Sequence, residues 1–318
     1  MTRPIEAEGL VRHFGDDIVA VDGVDLAVDE GEVFGFLGPN GAGKSTIVRM
    51  LTTLLRPTAG RARVGGFDVE SEAAAVRAAI GVALQDAAID PLMTGRELLK
   101  MQAVLHGLSR SVADERGSGL LERVGLTAAA DRRVGTYSGG MTRRLDLALS
   151  LVHEPRILFL DEPTTGLDPT SRLALWDEVR WLNTEHGTTV FLTTQYLEEA
   201  DQLAGRIAII DDGKIVRQGE PNELKAEVGA STLQVEIEDS SRSDALTTLT
   251  RFGDERRAPP GMLAIGLDGG AASVAQVVRA LDDAGVEIEH MDLHAPSLDD
   301  VFVDATGRRL EGADEASP

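Results

Sequence analysis

The stretch Gly38-Pro39-Asn40-Gly41-Ala42-Gly43-Lys44-Ser45-Thr46 constrains this chain most, because it fits G-x-x-x-x-G-K-[ST] and sits in the context that pattern needs. An apolar run of strand length, Val33–Leu37, precedes it, and Ile47–Leu51 continues at helical spacing. The glycines let consecutive backbone N–H groups converge on one point, and the helix they open adds its positive end. Together they make an anion site suited to nucleotide phosphates. Lys44 is then expected to reach the β/γ-phosphates and the Ser45 hydroxyl to bind Mg²⁺.

Two further segments extend the site. Ile157-Leu158-Phe159-Leu160-Asp161-Glu162-Pro163 is an apolar strand ending in two carboxylates. An aspartate delivered at the carboxyl end of such a strand holds Mg²⁺ directly or through water, and a glutamate after it is placed to polarise an attacking water. Tyr137-Ser138-Gly139-Gly140-Met141 precedes a helical run carrying Arg143 and Arg144. Its serine and glycines open a helix and form a second anion site, so one chain has two phosphate-grasping helix starts.

Strands alternate with helices from Ile5 to about Val228: strands at Ile5–Val11, Ala20–Val28, Gly81–Leu84, Ile157–Leu160 and Thr189–Thr193, helical stretches from Thr94 to Leu151, and a helix at Thr170–Glu185. Asp211-Asp212-Gly213 between Ile207–Ile210 and Lys214–Arg217 marks a hairpin. The pattern predicts an α/β, P-loop core on a largely parallel sheet, with a helical subdomain over about 86–151. Residues 229–310 change character, with strands at Thr232–Glu238, Met262–Leu267 and Val286–His290 and helices at Ala272–Ala284 and Leu298–Ala305. They predict a small α+β accessory domain of ferredoxin-like type, with Gly253–Gly261 as a linker broken by Pro259-Pro260. Residues 311–318 read as a disordered acidic tail.

Composition limits the partners. A formal charge of −22 disfavours nucleic acid as a broad surface partner, and the absence of cysteine excludes disulfides and thiolate-bound metal. No apolar run is long enough to cross a bilayer and the first residues lack a signal-peptide core, so a soluble cytoplasmic protein is expected. Lysine occurs only at Lys44, Lys100, Lys214 and Lys225. Adaptation to a high-salt cytoplasm and an ordinary acidic protein from a GC-rich genome fit this balance about equally.

With its three motifs in this order, the chain resembles the ATP-binding subunits of ABC transporters across nearly all of residues 5 to 228. Tyr137–Met141 stands where that family has Leu-Ser-Gly-Gly-Gln, so the outer positions depart while Ser138, Gly139 and Gly140 are intact. The resemblance implies that Phe14 stacks on adenine, that Gln85 is the glutamine loop beside nucleotide and Mg²⁺, and that Gly166-Leu167-Asp168 crosses to an opposite subunit. In Thr193-Thr194-Gln195-Tyr196-Leu197-Glu198-Glu199-Ala200-Asp201, Gln195 replaces the usual histidine. That glutamine, Tyr-Ser-Gly-Gly-Met and the later Pro296–Phe302 are similar to the daunorubicin/doxorubicin-resistance ATPase group.

What the resemblance implies is a homodimer sandwiching two ATP molecules, each between the Lys44 loop of one copy and the Ser138 helix start of the other. Glu162, Gln195 and Lys44 would be catalytic, and Ser45, Gln85 and Asp161 would hold Mg²⁺. A separate integral-membrane permease would export a drug, lipid or other amphiphile, with the chain peripheral on the cytoplasmic face. The alternatives are a soluble ABC-type ATPase without a membrane partner, or a regulatory nucleotide sensor. Soluble members generally carry two cassettes or a long coiled coil, whereas this chain has one phosphate loop and no sustained heptads.

Overall fold

The computed structural model describes residues 3–308 except 16, 86–88, 230, 257, 259, 260, 268 and 269. The expected acidic tail and Pro259-Pro260 lie outside the described residues. By its internal contacts the chain forms two compact units that divide after Glu220.

In chain order the first unit contains β1 (Ile5–Phe14), β2 (Ile18–Val28), β3 (Val33–Leu37), α1 (Lys44–Leu51), β4 (Ala59–Val64), β5 (Phe67–Asp68), α2 (Ala73–Ala79), β6 (Ile80–Ala83), α3 (Gly95–Leu105), α4 (Arg110–Arg123) and α5 (Gly139–Leu151). It continues with β7 (Ile157–Asp161), α6 (Pro169–His186), β8 (Thr189–Thr194), α7 (Leu197–Leu203), β9 (Arg206–Asp211) and β10 (Lys214–Gly219). Six strands build the main sheet in the order β10-β9-β3-β8-β7-β6, parallel except for the β9–β10 hairpin. A second, antiparallel sheet has the order β2-β1-β4-β5.

Alternation along the strands decides what packs where, since successive side chains leave a strand on opposite faces. Ile157 and Phe159 of β7 and Phe191 of β8 join Phe34 and Phe36 on the face that meets α1 and the antiparallel sheet. Leu158, Leu160, Val190 and Leu192 point the other way, onto Leu175, Trp176, Val179 and Leu182 of α6. Phe191 is the centre of the aromatic cluster, with ring centroids 5.5–5.7 Å from those of Phe34, Phe36 and Phe159. Such strands are buried on both faces, which is why they read as continuous apolar runs. The span Thr94–Leu151 separates into α3, α4 and α5 around its own core, including Leu98, Leu99, Leu121 and Leu145.

The second unit opens with α8 (Pro221–Val228) and holds β11 (Thr232–Ile237), α9 (Arg242–Leu249), β12 (Glu255–Arg256), β13 (Met262–Gly266), α10 (Val274–Asp283), β14 (Ile288–His294) and α11 (Leu298–Thr306). Between β11 and β14 the order is β-α-β-β-α-β, with an antiparallel sheet ordered β12-β13-β11-β14, the ferredoxin-like split arrangement. Val235, Leu249, Ile265, Val277 and Leu281 fill its core. Two details differ from the sequence reading. Helix α8 packs with α11, so the division falls ahead of Val228, and part of the expected Gly253–Gly261 linker forms the edge strand β12.

Candidate nucleotide site

Parallel strands send their carboxyl ends to one edge of the sheet, and the loops leaving β3, β6, β7 and β8 meet there. Register makes this concrete: Leu37 pairs with Thr194, Asp161 with Thr193 and Ala83 with Leu160. The loop Gly38–Gly43, the Gln85 bend, Asp161-Glu162 and Gln195 therefore share that edge.

The loop needs its glycines for different reasons. A Cβ on Gly38 would lie 2.4 Å from the Ile210 carbonyl oxygen, and one on Gly43 would lie 2.4 Å from that of Ala20. Gly43 also caps α1 at φ 108, in the left-handed region that favours glycine. Pro39, Asn40, Gly41 and Ala42 complete the turn, while Ser45 and Thr46 are half-buried in the first turn of α1.

Lys44 folds its ammonium back into the loop. Its Nζ donates to the carbonyl oxygens of Gly38 at 2.7 Å and Pro39 at 3.1 Å, and forms an ion pair with Glu162 Oε1 at 3.2 Å. Glu162 Oε2 accepts from Gln85 Nε2 at 3.2 Å and from the Thr165 hydroxyl at 3.4 Å. Glu162 lies just past β7 with φ 48, a backbone conformation costing roughly 1–2 kcal/mol for a residue with a Cβ. Its N–H compensates by donating to both the backbone oxygen (3.0 Å) and the hydroxyl (3.1 Å) of Thr193. Strain held by surrounding bonds in this way concentrates at functional sites.

Asp161 Oδ1 accepts from the Ser45 hydroxyl at 3.2 Å and from that of Thr193 at 2.5 Å. A carboxylate and a hydroxyl in contact are oxygen donors of the kind a hard divalent cation takes. Gln195 follows β8 directly and is half-buried. Phe14, at the end of β1 opposite Ile18, is 40% exposed rather than core, and the Arg12 guanidinium lies 4.7 Å from its ring centroid.

The second helix start is elsewhere. The Ser138 side chain accepts from the Met141 N–H at 3.3 Å and caps α5, with Ser138 and Gly139 exposed. Gly140 faces α6: a Cβ there would lie 2.8 Å from Ser171 Oγ, which donates at 2.6 Å to Asp168, the cap of α6. Among the described contacts none joins Ser138–Gly140 to the Gly38–Thr46 loop. Tyr137, the departure at the first position, is half-buried and donates its hydroxyl at 2.7 Å to the Ala129 carbonyl.

A protein 48% identical over 317 residues, covering 97% of this chain and 98% of its own length, is the daunorubicin resistance ATP-binding protein DrrA3 of Streptomyces coeruleorubidus. The chain belongs to the ABC transporter ATP-binding proteins. The ABC transporter family matches residues 21–165, and the DrrA1-3-like C-terminal domain matches residues 219–306. The doxorubicin resistance ATP-binding protein DrrA of Mycobacterium tuberculosis is 44% identical over 309 residues, 95% of this chain and 93% of that protein. Among solved structures, the dimeric post-hydrolysis cassette MJ0796 bound to ADP and Pi superposes with a TM-score of 0.63 at 26% identity, covering 68% of this chain and 98% of that one.

As a member of this family the chain is an ATPase, and its geometry shows two residues that motif reading leaves out. Arg143 of α5 donates to the carbonyl oxygens of Asp161 (2.7 Å), Pro163 (2.9 Å) and Leu84 (2.5 Å), and pairs with Asp146 at 3.4 Å. It thus fastens the helical subdomain to the loops that carry Gln85 and Glu162. Thr193 bridges Asp161 and Glu162, as described above. The i,i+3 spacing of Arg143 and Asp146 was the signal available for the first; a threonine ending an apolar strand carries none.

Proposed function

We propose that two copies of this ATPase close head to tail on two ATP molecules and power a separate membrane permease. The observation that carries the reading is the convergence of the exposed Gln85 on the buried Lys44–Glu162 pair, beside the Ser45–Asp161 pair. The phosphates of ATP would draw the Lys44 ammonium from its carbonyls and from Glu162, freeing that carboxylate to accept a proton from water. Ser45 and Asp161 would hold Mg²⁺, with Gln85 nearby, and the ion would neutralise charge on the phosphate oxygens. Gln195 would donate its amide N–H toward the γ-phosphate, and Phe14 would present its exposed face to adenine.

The exposed Ser138-Gly139 helix start supports the dimer, because a second copy would bring it over the first copy's loop, with Asp168 alongside. Each copy then uses the same pair of surfaces, which a two-fold axis satisfies. A cavity of about 440 Å³ lined by Leu54, Ile80, Leu84, Gln102 and Leu149 supports permease docking, since it lies between the sheet and the helical subdomain, next to Gln85. Leu105, at the end of α3, is 73% exposed. Among the described residues no helix is long and apolar enough to cross a membrane, so the transport path would belong to the permease, with this chain on its cytoplasmic face.

The names of the relatives, with resistance to daunorubicin and doxorubicin and export of Nod factor, support export of a drug, lipid or other amphiphile. The test is co-expression with a candidate permease of several membrane spans from the same organism. ATP-dependent substrate uptake into inverted vesicles that disappears with Glu162→Gln supports the reading; a chain that hydrolyses ATP yet never co-purifies with a membrane protein refutes the permease part.

A further inference from the structure

Glu199 of α7 is 0% exposed, and no step of ATP hydrolysis as read above uses it. Its Oε1 accepts from the indole Nε1 of Trp176 at 3.1 Å. Thr194 and Thr164 also turn their hydroxyls toward the carboxyl, and burial, the largest influence, pushes its pKa up against all three. The Thr194 Oγ1 accepts the Tyr196 N–H at 2.9 Å, which leaves its own proton to donate. The remaining oxygen, Glu199 Oε2, and the Thr164 Oγ1 are both enclosed without a bond of good geometry.

The neighbours of this carboxyl belong to the three segments that hydrolysis must coordinate. Thr194 is the residue before Gln195, and Thr164 lies between Glu162 and Asp168. Trp176 is on α6, the helix that Asp168 caps. We infer that Glu199 is a positioning residue for ATP hydrolysis, a latch that holds the Pro163–Asp168 segment and Gln195 in one register. A small shift of Thr164 toward α7 would pair the two unsatisfied atoms, so the latch has an open and a closed arrangement. Leaving buried polar atoms unpaired is unfavourable, which biases such a shift. Glu199 reaches no phosphate itself and acts only through its neighbours.

A carboxyl that merely fills space behaves differently from a latch, because replacing buried polar groups by apolar ones of similar volume is often neutral or stabilising. The inference rests on the ATPase reading of the site, so wild-type turnover is measured beside the variants to report on that reading separately. Steady-state hydrolysis by the full-length protein is compared for wild type, Glu199→Gln, Glu199→Leu and Thr164→Val. Glu199→Gln keeps an acceptor for Trp176 and offers Thr164 an N–H that its hydroxyl can accept, so the polar pairing survives with its direction reversed and kcat should stay within about threefold of wild type.

Glu199→Leu should lower kcat by roughly ten- to a hundredfold, the scale of a small misplacement, while KM for ATP changes less than about twofold. Thr164→Val should shift kcat the same way, and combining it with Glu199→Leu should add little, as for two members of one unit. Wild-type kcat in Glu199→Leu, a Glu199→Gln as slow as Glu199→Leu, or fully additive losses would each overturn the latch. If Glu199→Leu fails to fold, the near-isosteric Thr164→Val carries the test, and its turning over ATP at the wild-type rate would be equally fatal.

Discussion

The Lys44 ammonium and the Glu162 carboxylate face each other at 3.2 Å with side chains only 4% and 5% exposed, so each neutralises a charge that the other could not leave buried alone. Breaking such a pair from one side costs about 3–5 kcal/mol, most of it from the stranded charge. Lys44→Met should therefore lower stability by about that amount in urea titration. Adding Glu162→Gln should recover most of the loss, because the stranded carboxylate is then gone. A double variant no more stable than Lys44→Met would show that the pair carries no such charge balance.

Glu162→Gln alone keeps the shape and one oxygen to accept from Lys44, turns the acceptor that faces Gln85 into a donor, and removes the base. Hydrolysis should fall by at least roughly a hundredfold, with ATP still bound and dimers accumulating in size-exclusion chromatography. Turnover near the wild-type rate would assign proton abstraction to another group.

Gln195 has an amide N–H to donate but no titrating proton, unlike the histidine usual in the family. Gln195→Ala should reduce the ATPase rate, and Gln195→His should introduce a limb in the pH–rate profile near the ordinary histidine pKa of about 6.5. An unchanged rate in the alanine variant would remove Gln195 from the site.

The contrast between Gly43 and Arg143 shows what was legible in the sequence and what was not. Phosphate loops announce themselves because several rules act within a few consecutive residues: a turn at φ 108, a Cβ exclusion of 2.4 Å and a helix start. Asp161 and Glu162 are equally local, ending an apolar run. Arg143, by contrast, binds three backbone carbonyls from two distant loops, and carbonyls leave no trace in residue identity. Among the elements not expected, which include β4, β5, α2, α8, α9 and β12, patterning is weak: β4 buries only Ala62 and Val64, and α9 buries only Ala245, Thr248 and Leu249. Small or polar residues at inward positions blur the periodicity on which such reading depends.

The loop geometry gives a sharp packing test. Gly38→Ala and Gly43→Ala would each push a methyl to 2.4 Å from a backbone oxygen, which cannot move without shifting β9 or β2. Gly41→Ala meets nothing within 4 Å and suffers only from its φ of 83. ATP affinity by nucleotide titration should collapse in the first two variants and fall less in the third. Equal losses at all three positions would mean that backbone conformation, not space, sets the requirement.

Asp146 ties the helical subdomain to the site through Arg143, and its burial makes that tie sensitive to pH. Desolvation raises its pKa to about 6 despite the opposing pull of Arg143. Between about pH 4 and 6 the folded protein thus holds a proton that the unfolded chain has released, so this group's contribution to stability is full below the unfolded value and declines as pH rises toward 6. Asp146→Asn stays neutral throughout and escapes the decline. Its stability relative to wild type should therefore rise between pH 4 and pH 7, by up to about 3 kcal/mol for a gap of about two pH units, while other groups cancel in the comparison. Denaturant titrations of both proteins at matched pH values measure this, and parallel curves would mean that Asp146 titrates normally in the folded chain.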